Sequence, residues 1–182
     1  MARIAKVFSK GEICWETILI FLTVGTWRVG YDRLIKAVDE LAGNGVITDE
    51  VIAQTGYSSY RPEHLTVMDF CSPEEFANLI SRAELVVSHA GMGTIIETVK
   101  RAKPIVVLPR KTDLGEVDND HQFTTAKQLE AEGKILVAYE VFDLPAKLEQ
   151  AKTFIPAQGQ ISHGIIDAVQ QFIDSIAARK HV

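Results

Sequence analysis

Leu85-Val86-Val87-Ser88-His89-Ala90-Gly91-Met92-Gly93-Thr94-Ile95-Ile96-Glu97 is an apolar run of strand length that empties into a glycine turn and then into a helix start. Such a junction gathers free backbone N–H groups and the positive end of a helix dipole at one point, which suits a phosphate. Just downstream, Pro104–Arg110 reads as a second apolar strand, and the polar loop after it ends Asp118-Asn119-Asp120-His121-Gln122. Upstream the same grammar appears once more. Ile18–Val24 is a continuous apolar run, the pattern of a strand buried on both faces, and it stops at a second glycine turn, Gly25-Thr26.

The rest of the chain repeats this alternation. Tyr31, Leu34, Ile35, Val38 and Leu41 fall at helical spacing, closed by Gly43 and Gly45. Val51–Thr55 and Leu65–Phe70 read as strands on either side of a polar loop, Gly56–His64. Ser72-Pro73-Glu74-Glu75 is a capping box with proline at the first helical position, so a helix starts there. Gln122–Glu132 predicts a helix stopped by Gly133, Ile135–Tyr139 a strand, and Phe142–Ala151 and Gly164–Ala178 two more helices. Residues 1–16 read as an extension in which Ile4, Ala5, Val7 and Phe8 suit a short helical face; residues 17–182 form the domain. Strands alternating with helices predict an α/β fold, a single Rossmann-like doubly wound parallel sheet with helices on both faces. Such sheets bind ligands beyond the carboxyl ends of their strands, where the turns at Gly25 and Gly91, with His89, Arg110 and the loop to Gln122, all lie.

Composition narrows the partners. With a net charge of −5 and 47% apolar residues, the chain has no general attraction for nucleic acid or anionic lipid. The basic cluster Lys100, Arg101, Lys103, Arg110 and Lys111 reads as solvated surface around a helix end. Cys14 and Cys71 make neither zinc spacing nor a disulfide framework, which fits a reducing cytosol. Glu12 and Glu16 interrupt any resemblance of the first residues to a signal sequence, and no segment approaches the ~20 apolar residues of a membrane span. Membrane association would need a surface patch or a partner.

Common nucleotide motifs fail on the two turns. The dinucleotide fingerprint lacks its glycines after the first strand, and Ile96 stands where the third would fall at the later turn. Gly25–Gly30 has the start of a P-loop, but Tyr31-Asp32 replaces the Lys-Ser/Thr that would hold phosphate and magnesium. Asp118-x-Asp120 offers a metal pair, yet acids just before a helix more often cap it. Glu97, one turn into its helix, would project beside Thr94 and could accept both hydroxyls of a ribose; an acid there also complements the dipole. His89 is a candidate catalytic or phosphate-facing group, or a histidine packed at a strand end.

In combination, Ser88–Glu97, Lys103–Arg110 and Asp120-His121-Gln122 resemble the donor-binding, C-terminal domain of the GT-B glycosyltransferases of family 28. The similarity is closer to the single-domain branch, which includes the catalytic subunit of the dolichol-linked N-acetylglucosaminyltransferase and bacterial exopolysaccharide glucuronosyltransferase subunits. Members of that branch open on Val-Gly-Thr and a Phe-Asp-x-Leu-Ile helix, here Val24-Gly25-Thr26 and Tyr31-Asp32-Arg33-Leu34-Ile35. Gly115-Glu116-Val117-Asp118-Asn119-Asp120-His121-Gln122 leans toward the exopolysaccharide members, and Trp27-Arg28-Val29 departs from the branch.

The resemblance implies one half of a GT-B fold. It implies that Gly91, Gly93 and Thr94 hold the diphosphate of a UDP-sugar, that Glu97 takes the ribose, and that His121 and Gln122 contact sugar or phosphate. Gly25 and Thr26 would face the cleft, with Arg110 and His89 as phosphate neighbours. It further implies an inverting transfer to a polyprenyl-linked glycan without an obligatory metal or other cofactor. A membrane-anchored, acceptor-binding subunit would hold the chain at the cytoplasmic face of the membrane. A free-standing UDP-sugar epimerase or hydrolase, and a non-catalytic UDP-sugar-binding module, are the alternatives.

Overall fold

The computed structural model describes residues 5–7, 13–15 and 18–157. The helix expected over Gly164–Ala178, and the rest of residues 1–16, lie outside the described residues. Where a short helical face was expected near the N-terminus, the backbone instead forms two strands. β1 (Ala5–Val7) and β2 (Ile13–Trp15) pair antiparallel as a separate two-stranded sheet. β-branched and aromatic residues favour extended backbone, and pairing satisfies it locally.

The domain itself runs β3 (Leu19–Thr23), α1 (Asp32–Gly43), β4 (Glu50–Gln54), β5 (Thr66–Met68), α2 (Pro73–Arg82), β6 (Leu85–Ser88), α3 (Met92–Lys100), β7 (Ile105–Val107), α4 (His121–Ala131), β8 (Leu136–Val137) and, after a 3-10 turn at Val141–Asp143, α5 (Leu144–Ala151). The sheet order is β5-β4-β3-β6-β7-β8, with every neighbouring pair parallel. The chain starts in the middle, builds outward to β5, returns to β6 and builds outward the other way. The switch point therefore falls between β3 and β6, and the two glycine turns leave the sheet side by side there.

The apolar runs have no polar alternation because both faces of the sheet are covered. Ile20, Leu22, Val87, Val106 and Leu136 pack with Leu34, Ile35 and Val38 of α1 and Leu144 and Leu148 of α5. Their neighbours in sequence, Leu19, Phe21, Val86, Ile105, Val107 and Val137, pack with Leu79 and Ile80 of α2, Ile95 and Val99 of α3, and Ala126 and Leu129 of α4. Each fully buried aliphatic or aromatic side chain contributes about 1.5–3 kcal/mol, and this two-sided burial holds the strand ends in place.

α2 begins as expected. Glu75 N–H donates to Ser72 Oγ at 3.1 Å, and Ser72 N–H donates to Glu75 Oε2 at 2.8 Å. Between β4 and β5 no helix covers the sheet; the loop of residues 55–65 does so, anchored on Asp39 of α1. The Asp39 carboxylate is buried and accepts from Tyr60 Oη at 2.7 Å, His64 N at 2.8 Å and Glu63 N at 3.2 Å.

Candidate functional site

The site is built where β3 and β6 end. Thr23, Gln54 and Ser88 are the last residues of β3, β4 and β6, stand in register, and are all buried. Thr23 Oγ1 donates to Gln54 Oε1 at 2.5 Å, Gln54 Nε2 donates to Gly25 O at 3.1 Å, and Ser88 Oγ donates to Thr23 O at 2.9 Å. These three residues escaped the sequence reading. Their signal was a polar residue closing an otherwise apolar strand.

His89 sits on top of this polar row. Gly25 has φ +74, and a Cβ added to it would lie 2.7 Å from His89 Cε1; one added to Gly91 would lie 2.2 Å from His89 Nε2. The imidazole thus fills the space that side chains at both turns would take. Both glycines make room for His89, a packing reason that phosphate-oriented reading of the turns did not contain. Burial and the neighbouring Arg110 charge push the His89 pKa down to about 4, so the ring is neutral near pH 7.

α3 starts at Gly91 with no side-chain cap, unlike α2. Its first N–H groups, on Met92, Gly93 and Thr94, precede the first intrahelical bond, Ile95 N–H to Gly91 O at 3.1 Å. A Cβ on Gly93 would meet nothing within 4 Å, so open space lies over the helix end. Thr94 is buried at this first turn. Glu97 is partly exposed one turn on and paired with Arg101 at 2.5 Å. The structure therefore brings Gly25, His89, Gly91, Gly93 and Thr94 to one place, with Glu97 on the helix that begins there.

Gln122 joins the site from α4, its Oε1 accepting from Arg110 N–H at 3.3 Å. His121, the first residue of α4, is exposed, as is Thr26 at the tip of the first loop. Asp120 does not cap α4 with its side chain as the sequence suggested; it accepts from Thr112 Oγ1 at 2.8 Å.

Arg110 departs most from expectation. It is neither solvated surface nor turned toward an open phosphate position, being only 1% exposed. Nη1 donates to Val29 O, Gly30 O and Glu116 O at 3.0, 3.1 and 3.1 Å, and Nη2 to Val24 O at 3.1 Å, while the Tyr31 ring lies 4.5 Å from Cζ. Its planar fork clamps both ends of the loop that carries Gly25 and Thr26. Beside it Arg33 and Glu116 form a two-pronged ion pair, both contacts at 2.8 Å, and Tyr31 Oη donates to Leu108 O at 2.9 Å. Val29, Gly30, Asp32, Tyr57, Leu114 and Glu116 line a cavity of about 270 Å³ next to this clamp.

The strand order and the uncapped helix at the crossover define a Rossmann-like α/β domain of the kind that forms one half of a GT-B glycosyltransferase. The chain belongs to glycosyltransferase family 28, whose C-terminal domain matches residues 19–159. It is 32% identical over 151 residues to the UDP-N-acetylglucosamine transferase subunit ALG13 of Homo sapiens, covering 78% of this chain and 12% of that protein. The solution structure of ALG13 superposes with a TM-score of 0.54 at 20% identity, covering 81% of this chain and 91% of that one. The calicheamicin glycosyltransferase CalG4 superposes with a TM-score of 0.57 at 13% identity, over 76% of this chain and 35% of that one. The chain thus spans well under two thirds of the human relative's length, and about a third of CalG4.

Proposed function

We propose that the chain is the donor-binding subunit of an inverting glycosyltransferase that moves a sugar from UDP to a hydroxyl of a polyprenyl-diphosphate-linked glycan. The observation that carries this reading is the uncapped N-terminus of α3 at the switch point, with open space over Gly93. A UDP diphosphate would take the N–H groups of Gly93 and Thr94, Glu97 the ribose hydroxyls, and His121 and Gln122 the sugar or β-phosphate. The acceptor oxygen attacks the anomeric carbon as UDP leaves from the opposite face. Positioning and the helix dipole stabilise the departing diphosphate without an obligatory metal. The acceptor proton goes to a base supplied with the acceptor.

The ALG13 relatives are named as subunits of a UDP-N-acetylglucosamine transferase, which favours N-acetylglucosamine over glucuronate as the sugar and a partner as the acceptor-binding half. Among the described residues no helix is long and apolar enough to cross a membrane. In this reading a membrane-anchored partner brings the chain to the cytoplasmic face. Calorimetric titration with UDP tests the site. Wild-type protein should bind, and Glu97→Gln should weaken binding about tenfold or more through loss of charge-assisted hydrogen bonds. Unchanged affinity in that variant would remove Glu97 from the donor site.

A further inference from the structure

The hydrogen bonds beneath His89 determine which of its nitrogens carries the proton. Ser88 Oγ has one hydrogen, and its shorter contact, 2.9 Å, is to the Thr23 carbonyl, which can only accept and which also hydrogen-bonds the His89 ring. His89 Nδ1 lies 3.2 Å from the same Ser88 Oγ, which in consequence can only accept from it. With the Ser88 hydrogen on the Thr23 carbonyl, this contact takes its hydrogen from Nδ1. The neutral ring has one N–H, so Nε2 holds the lone pair, and Nε2 is the atom seated over Gly91 where α3 begins. Ser88 is itself oriented by Thr23, and Thr23 by Gln54. The groups packed on the ring from β3, β6 and the two turns are neutral, and the charged group facing it is Arg110, from the end of β7.

We infer that Ser88, with Thr23 and Gln54 behind it, is a positioning residue that holds His89 as the Nδ1–H tautomer, so that a diphosphate arriving at α3 draws a proton onto Nε2. The inference rests on the donor site proposed above. A lone pair facing a phosphate is repulsive. Uptake of one proton from solvent converts it into an N–H donor, and the imidazole becomes an imidazolium beside the anion. The low pKa of the free ring agrees with this order of events, since the proton is absent until the anion supplies the compensating charge. His89 is then the part of the site that couples donor binding to pH, with affinity rising as pH falls.

Nitrogen-15 NMR of histidine-labelled protein, without ligand, should show His89 as a single Nδ1–H tautomer, and Ser88→Ala should convert it to a mixture. UDP titrations in two buffers of different ionisation enthalpy should then show proton uptake that grows as pH falls and is lost in His89→Asn. An Nε2–H tautomer in the free wild-type protein overturns the inference, as does UDP binding without proton uptake. Failure of the wild-type protein to bind UDP would instead overturn the donor site, with the tautomer still judged by the spectrum.

Discussion

Arg110 is the side chain on which the first loop depends. Four carbonyls, of Val24, Val29, Gly30 and Glu116, would lose their donor if it were removed, the Val24 bond being buried and the other three partly buried. Arg110→Lys keeps the charge but not the fork, and it should cost about 3 kcal/mol in denaturant unfolding. UDP affinity should fall with it, because the loop holding Gly25 loosens. Gly91 makes a different kind of test. Its φ of −82 is open to any residue, so only the 2.2 Å approach to His89 Nε2 forbids a side chain there. Gly91→Ala should destabilise the protein by about 2 kcal/mol, and adding His89→Ala should recover most of that loss in a double-mutant cycle. Strict additivity would show that the ring is not what excludes the methyl group.

The end of α3 and the middle of α1 carry the predictions that belong to whole elements. α3 closes in a Schellman turn, with Lys103 N–H donating to Thr98 O at 3.3 Å and Ala102 N–H to Val99 O at 2.9 Å. The residue in the left-handed position is Ala102, at φ 55, where glycine is usual. Ala102→Gly should raise the melting temperature, corresponding to about 1 kcal/mol of relieved backbone strain.

Asp39 of α1 works over a longer span. Although burial alone would raise its pKa, hydrogen bonds from Tyr60, His64 and Glu63 outweigh that and hold it below the usual aspartate range. Its stabilising effect is complete above the unfolded pKa and is lost as pH falls through the lower folded value. The stability gap between wild type and Asp39→Asn should therefore be full near neutrality and close in acid, as read from urea midpoints across pH.

At the scale of the whole molecule, one Rossmann-like half presents the proposed donor site on an open sheet end, and the exposed Trp27, Tyr57, Phe70 and Leu114 all lie on loops leaving that end. Purified chain with UDP-N-acetylglucosamine and a lipid-linked acceptor should turn over only when an acceptor-binding partner is added, and the rate should survive EDTA. Partner-independent transfer would refute the split arrangement. The parallel sheet, the helix at Ser72 and the glycine turn into α3 were legible because each depends on neighbours within a few residues: hydrophobic period, a capping box, a strand-turn-helix junction. Strand lengths were overestimated, since Pro104–Arg110 pairs only over Ile105–Val107 before its end turns into the clamp. By itself, then, the sequence determined the order of elements from β3 to α5, the two-faced core and the position of the uncapped turn into α3, but not the two strands that precede the domain. Only the tertiary structure decided that Arg110 is buried, that Gly25 and Gly91 are vacant for His89, and that Thr23, Gln54 and Ser88 form one polar row. Those contacts join residues as far as 86 positions apart, and a hydrogen bond between distant strands leaves no periodicity in the chain to read.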